Sequence, residues 1–289
     1  MKAENGIRLD KQIANKIPDG SRSLAKKLID EGKVKVNNKT VTKHSFKLTD
    51  KDKVSLNFKF KDFKANTITM PIIYEDDFCL VLNKPSGIIT HAKGVYSTET
   101  SVASFIRDKI SPNLVGNRAG IIHRLDRGTS GLIIVAKTEE ARKYLAQQFA
   151  KRQVKKNYYC IISGTLDPLA AKINMPIERN PKKPSTFRPG ANGKEAITFY
   201  KVIVSNHKYS LIELSPLTGR THQIRVHLKA INHPIVGDAV YGGEKADRLM
   251  LHAASLKIKL KEKGIVTFST ALPREFSKFV KMPKDIENG

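Results

Sequence analysis

Tryptophan is absent from the 289 residues, cysteine occurs twice, and aromatic residues amount to 7%. Cys79 and Cys160 lie far apart and belong to no Cys-x-x-Cys pair. That excludes a disulfide framework and a zinc knuckle and predicts two buried thiols. No apolar run approaches the ~20 residues of a membrane span, and the start, Met1-Lys2-Ala3-Glu4-Asn5-Gly6, has no apolar signal core behind its lysine. The expected location is the cytoplasm, without membrane association. There is no Gly-x-Gly-x-x-Gly and no loop ending in Gly-Lys-Ser/Thr, so a nucleotide cofactor is not indicated. Acidic residues are scarce as well: 27 Asp and Glu face 52 Lys and Arg, a formal net charge of +25. An excess of this size points to polyanions, nucleic acid before an acidic membrane surface, since neither a basic amphipathic helix nor a lipidation signal supports the latter.

What is present reads as two folded parts. With 40% hydrophobic and 27% charged residues the chain can bury a core, and its length suits about two domains of ~100–200 residues. Residues 1–60 form the first. Ser21 is placed to cap a helix over 22–31, in which Leu24, Leu28 and Ile29 recur at helical spacing before a left-handed stop at Gly32. Its outer face carries Arg22, Lys26 and Lys27. Val34 and Val36 then alternate with Lys33 and Lys35 ahead of an Asn37-Asn38 hairpin turn. The alternation Phe58-Lys59-Phe60-Lys61-Asp62-Phe63-Lys64 leads into a linker placed at 61–71. From 72 to 289 apolar strands dominate, at 79–82, 131–136, 159–162, 197–204 and 210–214, with a helix capped by Thr138 whose Ala141, Tyr144, Leu145 and Phe149 share one stripe. Strands and helices without regular alternation predict α+β: a mixed, largely antiparallel sheet with flanking helices, behind a small helix-plus-hairpin domain.

Three segments carry possible chemistry. The run His123-Arg124-Leu125-Asp126-Arg127-Gly128-Thr129-Ser130-Gly131 empties into a strand. Guanidinium groups on either side favour an ionised Asp126, suited to act as nucleophile or base. Taken alone, an Asp in a Gly-Thr-Ser-Gly loop is also a common turn former. The segment Thr218–Lys229 reads as a helix capped by Thr221, with Ile224, His227, Leu228 and Ile231 on one side and His222, Arg225 and Lys229 on the other. Two arginine-rich elements, one holding a lone carboxylate, suggest an Arg–Asp pair in an anion-attracting cleft; the alternative is a surface helix with a solvated basic face. Neither His222 nor His227 has a ligand partner at i+3 or i+4, so no metal site is expected. Lys155-Lys156-Asn157-Tyr158-Tyr159-Cys160 opens a strand, where a tyrosine can stack on a base while ammonium groups meet phosphate, or can simply pack half-buried.

In order along the chain, Asn83-Lys84-Pro85-Ser86-Gly87, His123 to Leu132, Lys156-x-Tyr158, Gly193-Lys194-x-Ala196, Gly219 to His227, Pro234-Ile235-x-Gly237-Asp238 with Tyr241-Gly242, and Leu251-His252-Ala253 resemble the RluA-like pseudouridine synthases, over about 72 to 275. These enzymes isomerise uridine to pseudouridine in structured RNA. The segments Arg8-Leu9-Asp10, Ser21-Arg22-Ser23 and Leu28 to Asn37 resemble the small S-four-type RNA-binding domain. The resemblance implies that Asp126 is the catalytic carboxylate, Arg225 its ion-pair partner, and Tyr158 the ring stacked on the target uracil. Arg124 fills the space of the flipped nucleotide, and His123, Lys156 and Arg220 complete the substrate site. In the front domain, Arg8, Arg22, Lys26, Lys27, Lys33 and Lys35 would meet RNA. Isomerisation changes no oxidation state and loses no leaving group, so neither cofactor nor metal is expected. The partner is structured RNA, ribosomal rather than transfer RNA, engaged by a monomer. A departure follows Leu251-His252-Ala253, where Lys257-Ile258-Lys259-Leu260-Lys261 replaces the more common Phe-x-His-Pro. The rival readings are a non-catalytic RNA-binding or ribosome-assembly protein and a nuclease using His123 and His222.

Overall fold

Ser21 caps its helix as its position suggests: in the computed structural model, which describes residues 4–17, 20–57, 68–92, 99–116 and 118–287, its side-chain oxygen accepts the Leu24 N–H at 3.2 Å. The front part consists of α1 (Leu9–Lys16), α2 (Arg22–Asp30), β1 (Val34–Val36), β2 (Lys39–Thr40) and β3 (Val54–Leu56). Asn37 and Asn38 take φ of 50° and 65°, the left-handed pair that lets Val36 face Lys39 across a two-residue hairpin. Leu9, Ile13, Leu24, Leu28, Ile29, Val34, Val36, Leu48 and Val54 form its core. Both α1 and β3, which pairs with β1 from Val34↔Leu56 to Val36↔Val54, go beyond the helix-plus-hairpin expectation. Most of the proposed linker, and the Phe58–Lys64 alternation, lie outside the described residues.

The chain divides into two compact units: 1–68 with 91–104 and 115–118, and 69–90 with 105–114 and 119–289. The one-turn α3 (Val102–Phe105) falls at a junction between them. The second unit holds β4 (Ile72–Glu75), β5 (Cys79–Lys84), β6 (Ser130–Ala136), α4 (Glu139–Ala150), β7 (Lys155–Ser163), β8 (Ala170–Asn174), β9 (Ile177–Arg179), β10 (Phe187–Pro189), β11 (Ile197–Ser205), β12 (Tyr209–Pro216), α5 (Gln223–Ala230), β13 (Leu251–Leu260) and β14 (Gly264–Ser269). A nine-stranded sheet runs β4-β5-β6-β13-β7-β12-β11-β8, with β14 also paired to β13; β9 and β10 make a separate ribbon. Its pairings are antiparallel except that between β6 and β13. Thr138 caps α4 by accepting the Ala141 N–H at 3.1 Å, and Ala141 and Leu145 pack on Cys79, Val81, Leu132 and Ile134. A second core gathers Cys160, Ile162, Leu211, Leu214, Ile224 and Leu228. Both cysteines are buried and unbridged.

The sheet forks at β13. That strand meets β6 only through His252↔Ser130 and Ala253↔Gly131, then takes β14 as its neighbour from Ser255 onward, while its register against β7 shifts between Ala253 and Ser255. Gly131 makes the close approach possible: its φ is 108°, and a Cβ there would stand 2.2 Å from the Ala253 carbonyl oxygen. The Lys257–Lys261 stretch is a regular amphipathic strand end, with Ile258 and Leu260 buried and the lysines outward.

Helix α5 corrects the helical-wheel reading. Its N-cap is His222, not Thr221, and Gln223 to Leu228 are all buried. Arg225 therefore does not lie on a solvated basic face, because Asp238 satisfies its guanidinium inside the protein. Among the described residues no helix is long and apolar enough to cross a membrane.

Candidate active site

The loop that carries Asp126 is mounted on residues 84–90 by directed hydrogen bonds. Thr90 Oγ1 donates to the Leu125 carbonyl at 2.8 Å and accepts the Leu125 N–H at 3.1 Å. Ser86 Oγ donates to the Gly128 carbonyl at 2.7 Å, and the Gly87 N–H to that of Arg127 at 2.8 Å. Beneath them the fully buried Lys84 directs Nζ to the carbonyls of Pro85, Ile88 and Arg127 at 2.9, 2.7 and 3.3 Å. Burial pushes its ammonium down to about 7, opposed by the nearby charge of Asp126. The result is a loop with its backbone groups fastened and its carboxylate turned into a cavity.

Asp126 is 15% exposed; its ion-pair partner among the described residues is Arg225, and the His222 imidazole faces the same carboxylate. Arg124 and Arg127, expected to flank the carboxylate, are exposed instead. Arg225 NH1 stands 3.4 Å from Asp126 Oδ2, and His222 Nε2 3.9 Å from the same oxygen. Asp238 grips the other side of Arg225 bidentately, Nε to Oδ2 at 2.7 Å and NH2 to Oδ1 at 2.8 Å. The guanidinium lies 4.9 Å from the centre of the Tyr241 ring. A buried arginine answered by two carboxylates and an aromatic face has little freedom to swing.

The cavity has a volume of about 560 Å³. Asp126, Arg225, Tyr158, Arg124, His123, Lys156 and Arg220 all line it, so the structure brings together every second-unit residue that the sequence singled out. Tyr158 enters from β7, opposite Leu214 and Ala253; burial, reinforced by the charge of Asp126, pushes its phenol up and keeps it neutral. Burial lowers the Lys156 ammonium. Arg220 Nε donates to the Glu195 carbonyl at 2.9 Å, and Arg152 pairs with the Glu195 carboxylate at 2.7 Å.

His123 has a structural task. Its ring stacks on Phe149 at 4.6 Å, and Nε2 accepts the Ile134 N–H at 3.0 Å. Burial, with Lys156 adding to it, pushes the imidazole down to about 3. A ring whose acceptor nitrogen is committed to a strand and which stays neutral cannot serve the histidine nuclease reading. Sequence reasoning missed Asp238, Tyr241 and the buried Lys84 as parts of the site, and gave His222 no role beside Asp126. The available signals were Gly237-Asp238 and Asn83-Lys84-Pro85, already noted as motifs without a role.

In the front unit, Arg8 Nε at 3.1 Å and Arg22 NH2 at 2.8 Å converge on Asp10, which is fully buried. The hydrogen bond from Arg8, aided by Arg22, holds that carboxyl well below the usual range. Lys27 and Lys33 reach Glu31 at 3.8 and 2.8 Å, while Lys26 and Lys35 are exposed.

A carboxylate–guanidinium pair in a cavity roomy enough for a nucleotide, in a strongly basic chain, is an arrangement suited to an RNA-modifying enzyme. Comparison with known proteins gives the family. Residues 78–230 match the family model described as RNA pseudouridylate synthase, and residues 7–54 that of the S4 domain. An uncharacterized RNA pseudouridine synthase of Aquifex aeolicus is 39% identical, over 81% of this chain and 77% of that protein. The ribosomal large subunit pseudouridine synthase D of Vibrio cholerae is 34% identical, over 88% and 84%. Among solved structures, human RNA pseudouridylate synthase domain containing 1 aligns with a TM-score of 0.58 at 29% identity, covering 71% of this chain and 84% of that one. The chain belongs to the RNA pseudouridylate synthase family, with an S4 domain in front.

Proposed function

We propose that this enzyme isomerises uridines of large-subunit ribosomal RNA, with Asp126 as the reacting carboxylate. The Asp126–Arg225 pair on a cavity wall shared with Tyr158 carries this reading. In the overall change the N1–C1′ bond breaks and a C5–C1′ bond forms, while C5 gives up its proton and N1 gains one. Uridine stacked in RNA cannot present that bond, so the base must be extruded and then held while it turns. Tyr158 supplies a neutral ring for stacking, Arg225 fixes the carboxylate, and Arg124, Lys156 and Arg220 ring the entrance with positive charge. His123 shapes the wall. Relatives named for the large ribosomal subunit support ribosomal over transfer RNA, and work in the cytoplasm agrees with such a substrate. We take the active species to be a monomer.

We divide the chain into an RNA-binding domain at 1–60, a linker at 61–71 and a catalytic domain at 72–289. In the front domain Lys26 and Lys35 are the readiest phosphate contacts. Lys27 and Lys33 share Glu31, and Arg8 and Arg22 offer guanidinium edges already pinned by Asp10.

The test is Asp126→Asn, which keeps shape and removes charge. Release of tritium from C5-labelled large-subunit RNA should fall by at least about a thousandfold while RNA affinity stays within about twofold. Near-native release would overturn the assignment.

A further inference from the structure

His222 has an unusual backbone for a ring-bearing residue. It sits at the N-cap of α5 with φ 58° and ψ 16°, and its side chain makes no capping bond. Left-handed geometry at a non-glycine position persists only where the surroundings hold it, and such positions gather at functional sites. Here the holding contacts are Tyr241 and Phe187, whose rings meet the imidazole edge-on at 5.6 Å each. His222 Nδ1 is 2.8 Å from Tyr241 Oη, and that hydroxyl oxygen already accepts the Phe187 N–H at 3.1 Å. A hydroxyl proton directed to Nδ1, which this geometry allows, leaves the ring proton on Nε2. Nε2 is the atom that faces Asp126 Oδ2 at 3.9 Å.

Arg225 NH1 addresses the same Oδ2 at 3.4 Å, and no hydrogen bond among the described residues ends on Oδ1. We infer that His222 is a positioning residue for the isomerisation: its imidazole, with the tautomer set by Tyr241, joins Arg225 in holding Oδ2 of Asp126 and leaves Oδ1 to react. Burial lowers the basicity of His222, opposed by Asp126, so the ring presents a neutral N–H rather than a second cation beside Arg225. The inference rests on Asp126 being the reacting carboxylate.

The experiment compares His222→Phe, His222→Gln, Tyr241→Phe and the double variant His222→Gln/Tyr241→Phe in the full-length protein, by tritium release from C5-labelled large-subunit ribosomal RNA. Phenylalanine keeps a ring without the donor; glutamine restores an N–H at the reach of Nε2 and has no tautomer to set. His222→Phe should lower kcat roughly ten- to a hundredfold with KM within about twofold, and His222→Gln should stay within about threefold of native. Tyr241→Phe should lower kcat in the native background and change it little when residue 222 is Gln. Native kcat in His222→Phe, or an equal cost of Tyr241→Phe in both backgrounds, overturns the inference. If His222→Phe melts early, the Tyr241→Phe comparison decides alone. Asp126→Asn run alongside separates the two levels: its retained activity removes the premise, whereas its loss together with an indifferent His222→Phe removes only the role of His222.

Discussion

Arg225 is shared between two carboxylates, and the sharing is unequal. Asp238 takes Nε and NH2 at ordinary hydrogen-bond lengths, and Asp126 receives only NH1 at 3.4 Å. Asp238 is itself fixed by the N–H groups of Val240 and Tyr241, each at 3.1 Å. A lysine cannot reproduce this fork, since a compact ammonium lacks the planar set of donors that pairs with Asp238 bidentately while NH1 reaches Asp126. Arg225→Lys should lower kcat by roughly a hundredfold with KM for RNA little changed, as read by single-turnover tritium release. At this scale the sequence showed Asp126 and Arg225 through dense local motifs. It did not show that Arg225 is buried, because a helical wheel presumes one wet face, and α5 has neighbours on all sides. Nor did it show Asp238, whose pairing with Arg225 is made by a loop that only the tertiary fold returns to the helix.

Among the elements, α2 and the β1–β2 hairpin were legible because each carries its own boundary marks: Ser21, Gly32 and the two left-handed asparagines. Helix α1 was not. Its N-cap, Arg8, makes no side-chain cap, and two of its buried positions are the polar Asp10 and Gln12, which blur the apolar stripe of Leu9 and Ile13. Asp10 is polar because it joins two helices, receiving Arg8 from the start of α1 and Arg22 from the start of α2. Its carboxyl is held below its unfolded value of ~4, so its stabilising effect is complete above that pH and disappears as pH falls through the folded value. Asp10→Asn should therefore melt earlier than the native protein at pH 7, with the gap narrowing steadily below pH ~4, which thermal unfolding across a pH series checks.

For the whole molecule, the charge of +25 was the first pointer to RNA, and it bears on binding more than on fold. If Lys26 and Lys35 meet phosphates, Lys26→Gln/Lys35→Gln should reduce the slope of log affinity against log salt by about 0.7 per contact, measured by filter binding to ribosomal RNA. The order of the large sheet could not be read from the chain, because the neighbours of β6 and β13 are chosen by long-range pairing. That order has a consequence at the fork. Asp126 precedes β6, whereas Tyr158 lies on β7, and the β6–β13 ladder between them has just the Ser130 and Gly131 register pairs; Gln148 of α4, which bonds both backbone groups of Lys259, and a core shared by Leu132, Ile134, Leu256 and Ile258 join the rest. The hydrogen-bond ladder is thus short beside the candidate site. Because the ladder is interrupted there, the spacing between Asp126 and Tyr158 is set by side-chain packing more than by strand register.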